Sequence, residues 1–190
     1  LTGRVLGALR MFCSARFLTV GPGLKSGIKL RLDNPAQLGA ELLCGAVAAL
    51  EEGPGPLAVI SADTAISIMA VNGKQELVGG VILPGPQLSL SALVQKTAQL
   101  PQIDLSAPAS SSILGKNTSA CLQNGFVLGT AGLLDGLAER FQAELGPDIR
   151  FYATGNLPRT IREACRTPIE YREYLITDGL YRIWQKNRKG

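Results

Sequence analysis

Residues 57–82 read LAVISADTAISIMAVNGKQELVGGVI, and the rest of the expected architecture is arranged around them. Three apolar runs, Leu57 to Ser61, Ala65 to Val71 and Glu76 to Ile82, are separated by polar turn residues. The dipeptide Asn72-Gly73 between two such runs is the strongest short-range signal for a β-hairpin. The pattern therefore predicts three consecutive strands that form a meander.

Helical periodicity follows the meander from Pro84 to Leu100 and again from Asn117 to Leu145. Ile149 to Ala153 then predicts a strand, Pro168 to Tyr171 predicts a brief one after an intervening helix, and Thr177 to Asn187 predicts a closing helix. The order from the first strand is β-β-β-α-α-β-α-β-α. This order is typical of an α/β domain with a mixed sheet, in which an antiparallel hairpin forms the edge and helices cover the faces.

The run Gly53-Pro54-Gly55-Pro56 is the clearest break in the sequence, because it suits the interior of neither a helix nor a strand. We expect a domain boundary there. Before it, Asn34-Pro35 predicts the start of a helix that extends from about Ala36 to Glu52 and carries one wide apolar stripe.

The N-terminal part of the chain predicts a helix, a strand and a turn. Leu1 to Phe12 reads like the middle of a helix, Phe17 to Val20 is typical of a strand, and Gly21-Pro22-Gly23 is typical of a turn. Because the chain opens with Leu1 rather than Met, we expect that a further segment precedes it.

Four glycines lie near i, i+4 spacing in the long helix predicted after Asn117. They are Gly125, Gly129, Gly132 and Gly136. Glycine in a helix costs stability, so a repeated row of them indicates two closely packed backbones. The close contact can lie within the chain or across a subunit interface, and the sequence favours neither.

The composition predicts a folded protein and narrows its chemistry. Of the 190 residues, 46% are hydrophobic and 18% are charged, with a mean hydropathy of +0.17. This length and composition suit one domain, or one domain and part of another. Histidine is absent, so Ser-His and Cys-His nucleophile pairs and His-ligated zinc are excluded. A general base must therefore be a carboxylate or a lysine.

The net charge of +4 comes from the C-terminal end of the chain. Arg182, Lys186, Arg188 and Lys189 lie there without an acidic neighbour, whereas the other 15 basic residues balance the 15 acidic ones. Nucleic-acid binding requires a basic face, and this chain lacks one outside the tail. We therefore expect no nucleic-acid partner and interpret the tail as a solvated helix end.

The cysteines and the hydropathy pattern predict a soluble, cytoplasmic protein. Cys13, Cys44, Cys121 and Cys165 form no C-x-x-C pair, which is typical of reduced core cysteines. No apolar run reaches the roughly 18 residues that a membrane span needs, and no signal-peptide pattern is present. We expect no membrane partner.

Two turns at predicted strand ends are candidates for phosphate binding. One is Ser61-Ala62-Asp63-Thr64-Ala65, and the other is Thr154-Gly155-Asn156. Backbone N–H groups and threonine hydroxyls at such turns can point at a bound anion. Taken alone, each turn is more often simply a turn.

Several stretches of the chain together resemble one family. They are Val20-Gly-Pro-Gly-Leu-Lys-Ser-Gly-Ile28, Leu32-Asp-Asn-Pro-Ala-Gln-Leu-Gly-Ala-Glu41, Gly79-Gly-Val-Ile-Leu-Pro-Gly-Pro-Gln-Leu-Ser-Leu-Ser-Ala-Leu93, Thr97-Ala-Gln-Leu-Pro101, Ile113-Leu-Gly-Lys-Asn-Thr118, Gly132-Leu-Leu-Asp-Gly136 and Ala153-Thr-Gly155. In order and spacing, the chain resembles the type III pantothenate kinases, members of the acetate kinase, sugar kinase, heat-shock ATPase and actin (ASKHA) superfamily.

The resemblance implies an α/β, ribonuclease-H-like fold of the actin-like ATPase type. It implies a truncated first domain in residues 1–53 and a complete second domain, with a mixed sheet, in residues 54–190. It also implies a homodimer that transfers the γ-phosphate of ATP to the hydroxyl of pantothenate, the first step of coenzyme A biosynthesis. The implied cofactors are ATP, Mg²⁺ and a monovalent cation, K⁺ or NH₄⁺.

The resemblance also implies residues on the pantothenate side. Gly39-Ala40-Glu41-Leu42 matches a Gly-Ala-Asp-Arg motif, in which the carboxylate accepts the proton and the arginine holds pantothenate. Glu41 is thus the implied catalytic residue, whereas Leu42 cannot replace a guanidinium. Leu32 stands where the family has a substrate-contacting tyrosine, and Thr118 matches a threonine that binds pantothenate from the partner subunit.

On the ATP side, Ser61-Ala62-Asp63-Thr64 matches an Asp-x-Gly-Thr turn. The resemblance assigns Thr64, at the threonine position, and Asp63, at the glycine position, to the phosphates, and Ser61 to the monovalent cation, with its charged ligand lost. Asp63 lies two residues after Ser61, so in a strand both side chains would lie on the same face. Asp63 is therefore a candidate to replace the charged cation ligand that is lost at position 61. Thr154-Gly155-Asn156 matches an adenosine-side Thr-Gly-Gly motif, with Asn156 at the second glycine position. The Asp-x-Gly-Asn-Thr loop that opens the family does not occur in these residues, so we expect the chain to start part way through the first domain.

Three hypotheses for function follow. The chain is a pantothenate kinase, a catalytically degenerate relative that acts by binding or as a dimeric structural module, or another acyl- or sugar-phosphotransferase of the superfamily. The third would explain Leu32 and Leu42 by a less anionic substrate, but it explains Ser61 and Asp63 no better.

Overall fold

The computed structural model describes residues 2–21, 23–109 and 112–188. In chain order the elements are α1 (Thr2–Phe12), β1 (Lys29–Leu30), a 3₁₀ turn (Pro35–Gln37), α2 (Ala40–Glu51), β2 (Leu57–Ala62), β3 (Ala65–Val71), β4 (Glu76–Pro84), α3 (Pro86–Gln95), α4 (Thr118–Leu145), β5 (Arg150–Gly155), α5 (Arg159–Ala164), β6 (Ile169–Tyr171) and α6 (Leu175–Asn187). From β2 onward this is the predicted order, so the α/β prediction is confirmed.

The strands form one mixed sheet in the order β1-β4-β3-β2-β5-β6. Strands β2, β3 and β4 are the predicted antiparallel meander, whereas β5 pairs parallel with β2, and β6 with β5. The prediction that the hairpin forms the edge is wrong, because β1 pairs parallel with the outer side of β4. Strand β1 has only two residues, which are too few to show an alternating pattern in the sequence. The guanidinium of Arg31, 2.9 Å from the carboxylate of Glu76, helps to hold β1 against β4.

The turn between β3 and β4 confirms the predicted hairpin, although its geometry differs from a two-residue Asn-Gly turn. The Asn72 side-chain oxygen accepts hydrogen bonds from the backbone N–H of Lys74 (2.9 Å) and of Glu76 (3.0 Å). The positive φ falls on Gln75, at 58°. This is a three-residue loop of the type that places a left-handed residue just before the second strand.

Helices α2 and α6 cover one face of the sheet. Residues 42–49 of α2 are all buried and belong to the same apolar cluster as Leu57 and Val59 of β2. The backbones of α2 and α6 are so close that a Cβ on Gly179 would overlap the carbonyl oxygen of Cys44. Only glycine allows this approach, so Gly179 sets the distance between the two helices.

Helices α4 and α5 cover the other face. Ala58 and Ile60 of β2 join Val127 and Leu134 of α4 and Ile161 of α5 in a second apolar cluster. Successive residues of β2 thus enter opposite cores, as the period of two in a strand requires. The result is a three-layer arrangement with β2 in its middle.

The buried carboxylate of Asp135 fixes the connection between α5 and β6. It is 3% exposed and accepts hydrogen bonds from the backbone N–H groups of Arg166 (3.0 Å) and Thr167 (2.9 Å). Burial alone would raise the pKa of Asp135, but these hydrogen bonds outweigh it and hold the pKa below its ordinary value.

The four glycines of α4 are not packed closely against another backbone within the described chain. A Cβ at any of the four positions, Gly125, Gly129, Gly132 and Gly136, would find no atom within 4 Å among the described residues. The intrachain alternative is therefore wrong. The subunit-interface alternative stays a prediction.

The predicted strand at Phe17 to Val20 is wrong, because these residues take part in no ladder within the described chain. Phe17, Leu18 and Val20 instead line an apolar cavity of about 390 Å³ with residues of α6. An apolar run can bury its side chains against a helix without forming a strand. Of the turn that follows, Gly23 has a positive φ of 90°, whereas Pro22 lies outside the described residues.

Three predicted helix boundaries are corrected or limited. The helix predicted from Ala36 begins at Ala40, because Leu38 and Gly39 are extended, with ψ of 125° and 133°. The helix predicted to reach Leu100 ends at Gln95. The predicted N-terminal helix is confirmed from Thr2 onward, and Leu1 lies outside the described residues.

The prediction of four core cysteines is half right. All four are free thiols, with Cys44 buried and Cys165 half-buried, but Cys13 and Cys121 are exposed. Burial, reinforced by the nearby Asp135 carboxylate, raises the pKa of Cys165 to about 11. Spacing alone does not distinguish a cysteine on the inner face of a helix from one at its end.

The basic tail is more than a solvated helix end. The Lys186 ammonium donates to the carbonyl of Ser26 (3.2 Å), and the Asn187 side chain exchanges two hydrogen bonds with the backbone of Lys25 (3.0 and 3.1 Å). Arg182 and Arg188 are exposed as expected, and Lys189 lies outside the described residues. The last turn of α6 therefore holds the segment before β1.

The predicted break after Glu52 is a loop tied to β5. The Arg150 guanidinium donates to the carbonyls of Glu52, Gly53 and Pro54 at 3.3, 2.6 and 3.2 Å. Helix α2 packs on the sheet that follows this loop, and a domain boundary at residue 53 stays a prediction. In the described ranges, none of the helices has the length and apolarity to cross a membrane.

We expect Gly179→Ala to lower the free energy of unfolding by about 1–3 kcal/mol, because the added methyl group forces α2 and α6 apart. Gly7→Ala is the matched control, since Gly7 also lies in a helix but a Cβ there meets no atom within 4 Å. Because alanine is also the better helix former, this change should leave the free energy of unfolding unchanged or raise it by up to about 1 kcal/mol. Urea unfolding measures both, and equal effects would contradict the proposed contact.

We expect Asp135→Asn to cost about 1–3 kcal/mol at neutral pH, because the buried amide has one acceptor oxygen where the carboxylate has two for the N–H groups of Arg166 and Thr167. The pKa is lowered in the folded protein, so the contribution is complete above the ordinary value of 3.8 and is lost as the pH falls through the folded-state pKa. The difference between variant and wild type in urea unfolding should therefore shrink as the pH falls below 3.8. A constant difference would contradict this assignment.

Candidate functional site

The candidate site lies where two parallel neighbours, β2 and β5, end side by side. Ala62, the last residue of β2, is paired in register with Gly155, the last residue of β5. The carboxyl ends of adjacent parallel strands form the crevice in which α/β sheets bind their ligands. Both turns that the sequence nominated for phosphate follow these two strands.

The turn after β5 depends on a glycine. Gly155 has φ of 82°, and a Cβ there would overlap the carbonyl oxygen of Ala62. The Tyr171 hydroxyl donates to the Gly155 carbonyl (2.9 Å), and the Arg162 guanidinium lies 3.9 Å from the centre of the Tyr171 ring. The turn is therefore held both by the strand beside it and by β6.

The turn after β2 is closed on itself and on the end of β4. The Asp63 N–H donates to the carbonyl of Ala65, and the Gly85 N–H donates to the carbonyl of Thr64, both at 2.9 Å. The side chains of Asp63 and Thr64 remain exposed. A fixed backbone thus presents a carboxylate and a hydroxyl at the crevice.

Both turns line a cavity of about 370 Å³ that also reaches the start of α2. Its lining residues are Glu41, Ser61, Ala62, Asp63, Thr64, Ala65, Ser67, Gly155, Asn156 and Ile176. Glu41 and Asp63 are the charged residues in this set, and both are acidic. The side chains that surround the cavity therefore favour cations over anions.

A direct hydrogen bond joins the two turns across the cavity. The Asn156 side-chain nitrogen donates to the Asp63 carboxylate at 3.0 Å. The two residues are 93 positions apart in the chain. The sequence identified both turns as candidates for phosphate binding, but nothing in it indicated that the side chains of Asp63 and Asn156 contact each other.

Glu41 reaches the cavity because it lies in the first turn of α2, which the core does not cover. It is exposed, whereas the next residue, Leu42, is 8% exposed and belongs to the core on the α6 side of the sheet. Successive residues of a helix are about 100° apart around its axis, so one can face the cavity while the next faces the core. Leu42 therefore offers no group to a ligand in this cavity.

The structure brings five of the predicted site residues together and leaves the others apart. Glu41, Ser61, Asp63, Thr64 and Gly155 line the cavity. The remaining six have other surroundings. Gly39 caps the start of α2, Ala40 lines a separate cavity beside Leu38, and Leu32 and Leu42 pack in the core on the α6 side of the sheet. Thr154 is 1% exposed with its hydroxyl directed at the Glu173 carbonyl (3.4 Å), and Thr118 is exposed at the start of α4.

Two lining residues were missed by the sequence analysis. Ser67 of β3 is the register partner of Ser61 of β2. Ser61 and Ser67 are polar residues within two apolar runs, at equal distances from the turn between them. This pattern could have indicated that the two serines face each other across the hairpin. Ile176 belongs to α6, and no local pattern connects it with the turns.

The described residues include no group of three or more His, Cys, Asp or Glu side chains that could hold a metal ion alone. The cavity does contain carboxylate and hydroxyl oxygens from Asp63, Ser61 and Thr64. Such oxygens are ligands of hard cations, which often complete their coordination with phosphates and water.

Comparison with known proteins decides the family. A family model described as type III pantothenate kinase matches residues 2–140. The chain belongs to the type III pantothenate kinase family. Its mixed sheet with helices on both faces agrees with the actin-like fold of that family.

Three curated relatives carry the name type III pantothenate kinase. The protein from Koribacter versatilis is 38% identical over 184 residues, which cover 95% of this chain and 66% of the relative. The protein from an Exiguobacterium species is 34% identical, with 94% and 69% covered, and that from an Anaeromyxobacter species is 38% identical, with 95% and 70% covered. The chain thus spans about two thirds of the length of these relatives.

Proposed function

We propose that this chain takes part in the ATP-dependent phosphorylation of pantothenate to 4'-phosphopantothenate, the first step of coenzyme A biosynthesis. Family membership and the names of its relatives support this activity. The structural observation that carries the proposal is the shared cavity, in which Glu41 lies with both turns at the ends of β2 and β5.

The cavity contains some of the parts that phosphoryl transfer requires, namely a carboxylate and neutral polar groups. The reaction needs a carboxylate to accept the hydroxyl proton, donors around the phosphates and cations that offset their charge. Glu41 is the proposed proton acceptor, and it reaches one methylene further than an aspartate. The Thr64 hydroxyl and the backbone at Gly155 are the proposed contacts to ATP.

Thr154 acts indirectly in this proposal: it lies outside the cavity with its hydroxyl directed at the Glu173 carbonyl, and it positions the neighbouring Gly155. ATP supplies the transferred phosphoryl group, and the protein contributes position and charge. Gly39 and Ala40 act by placing Glu41 at the start of α2.

The oxygen donors fit the cations that the family implies. Asp63, Ser61 and Thr64 are the residues that would hold Mg²⁺ or a monovalent cation such as K⁺ or NH₄⁺ beside the phosphates. Serine at position 61 provides only a neutral oxygen, so the charge that attracts a cation comes from Asp63.

Leu32 and Leu42 reduce affinity for pantothenate in this proposal. Both pack against the core, so neither offers a charged donor to the substrate carboxylate. Loss of a charge-assisted hydrogen bond costs about 1.5–3 kcal/mol of binding. We therefore expect a weak interaction with pantothenate rather than an altered chemical step.

A homodimer through the open face of α4 forms part of the proposal. Gly125, Gly129 and Gly132 are exposed there with no atom near their Cβ positions. Small residues at such a face allow two helices to approach closely. Thr118, at the start of the same helix, then contacts the pantothenate that is bound by the partner.

The activity is tested by incubation of the folded chain with ATP, Mg²⁺, K⁺ and pantothenate, and detection of phosphopantothenate by mass spectrometry. Glu41→Gln should lower the rate at least about 100-fold, because the amide accepts no proton. Glu51→Gln, at the other end of α2 and outside the cavity, is the matched control and should leave the rate within about twofold. Equal rates in wild type and Glu41→Gln would contradict the role of Glu41.

A folded wild-type protein that forms no product would contradict the kinase activity and favour the catalytically degenerate alternative. Circular dichroism establishes the fold beforehand. In that case, retained binding of ATP in calorimetry would indicate a binding role.

The dimer is tested with Gly129→Leu, because a large side chain on the open face of α4 should prevent close approach of a second copy. Light scattering after gel filtration should show a dimer for the wild type and a monomer for the variant. Gly7→Leu, on the exposed helix α1, is the control and should remain dimeric. A dimer that tolerates Gly129→Leu would place the interface elsewhere.

A further inference from the structure

The hydrogen bond between Asp63 and Asn156 stands at the centre of the proposed ATP site. It joins the two turns that the proposed function assigns to phosphates, and it places a carboxylate between them. At both positions the resemblance gives glycine, which has no side chain. This chain therefore has two side chains, in direct contact with each other, where the family motifs have none.

The charges around this bond decide how a phosphate can enter. Asp63 and Glu41 are both negative, and the lining contains no lysine or arginine among the residues that the structure describes. The partner of Asp63 is a neutral amide, so the hydrogen bond holds the carboxylate without neutralising it. A polyphosphate that approaches without a cation is repelled.

We propose that Asp63, held across the cavity by Asn156, is a specificity element that rejects metal-free nucleotide and admits ATP only as its complex with a divalent cation. The inference rests on the proposed function, because it concerns the same site. Asp63 opposes the bare phosphates and attracts the cation that accompanies them. Asn156 is a positioning residue that keeps the carboxylate between the two turns.

The alternative is that Asp63 only stabilises the turn. That role is fulfilled by the backbone, since the Asp63 N–H bonds to Ala65 and the Gly85 N–H bonds to Thr64. The Asp63 side chain is also exposed, so a structural role would bring little stability. A carboxylate with no structural task in a proposed phosphate site is better explained by control of charge.

The test is calorimetric titration of the whole chain with ATP, once with excess Mg²⁺ and once with EDTA. The measured quantity is the ratio of the two affinities. Wild type should bind ATP at least about tenfold more tightly with Mg²⁺, and Asp63→Asn should reduce that ratio about threefold to tenfold, mainly by stronger binding of free ATP. Asn156→Gly, which keeps the charge but removes the bridge, should reduce it by a smaller factor.

Two further variants make the test specific. Asp148→Asn removes the same charge from an exposed position outside the cavity and should leave the ratio unchanged. The double variant Asp63→Asn/Asn156→Gly should match Asp63→Asn alone, since both changes act through one carboxylate. Thermal unfolding without ligand checks that the four variants fold, and a merely structural effect would not move the ratio.

The possible results separate this inference from the proposed function. If wild type binds free ATP as tightly as its Mg²⁺ complex, or if Asp63→Asn leaves the ratio unchanged, the inference is overturned and the proposed ATP site stands. If wild type binds no ATP with or without Mg²⁺ but Asp63→Asn does, the inference is overturned, because Asp63 then excludes the Mg²⁺ complex as well as free ATP. If neither wild type nor any variant binds ATP under either condition, the proposed ATP site fails and the inference fails with it.

Discussion

The burial of helix α2 between the sheet and α6 is the constraint on which the site depends. Residues 42–49 are enclosed, and Gly179 brings the backbone of α6 against that of α2. At the start of α2 the exposed residues are Ala40 and Glu41, and Glu41 lines the cavity at the level where β2 and β5 end. A helix that was less tightly held would not keep a carboxylate opposite two turns from different strands.

The residues that the resemblance matches to pantothenate and to phosphate have different surroundings in this structure. Leu32 and Leu42 pack against the apolar cluster on the α6 side of the sheet. Ser61 and Asp63 instead line the cavity, where Asp63 brings a negative charge to the turn after β2. The first pair extends the core, and the second contributes to the polarity and charge of the cavity.

The sequence predicted the elements that have a strong local signal. The meander, the long helix α4 and the strand β5 all follow from periodicity and turn residues, and the motifs located Glu41 and both turns that line the cavity. What it missed depends on contacts between distant residues. Strand β1 is too short to have a period, the run from Phe17 packs on α6 without a strand partner, and the bond between Asp63 and Asn156 spans 93 positions.

The bonds between the last turn of α6 and the segment before β1 join residues 162 positions apart, close to the whole length of the chain. A contact of such long range closes a very large loop, so it pays its entropy only after most of the chain has folded. During synthesis, Lys25 leaves the ribosome long before Asn187 exists. The hydrogen bonds that hold the segment before β1 therefore cannot form until the final helix of the chain has been synthesised.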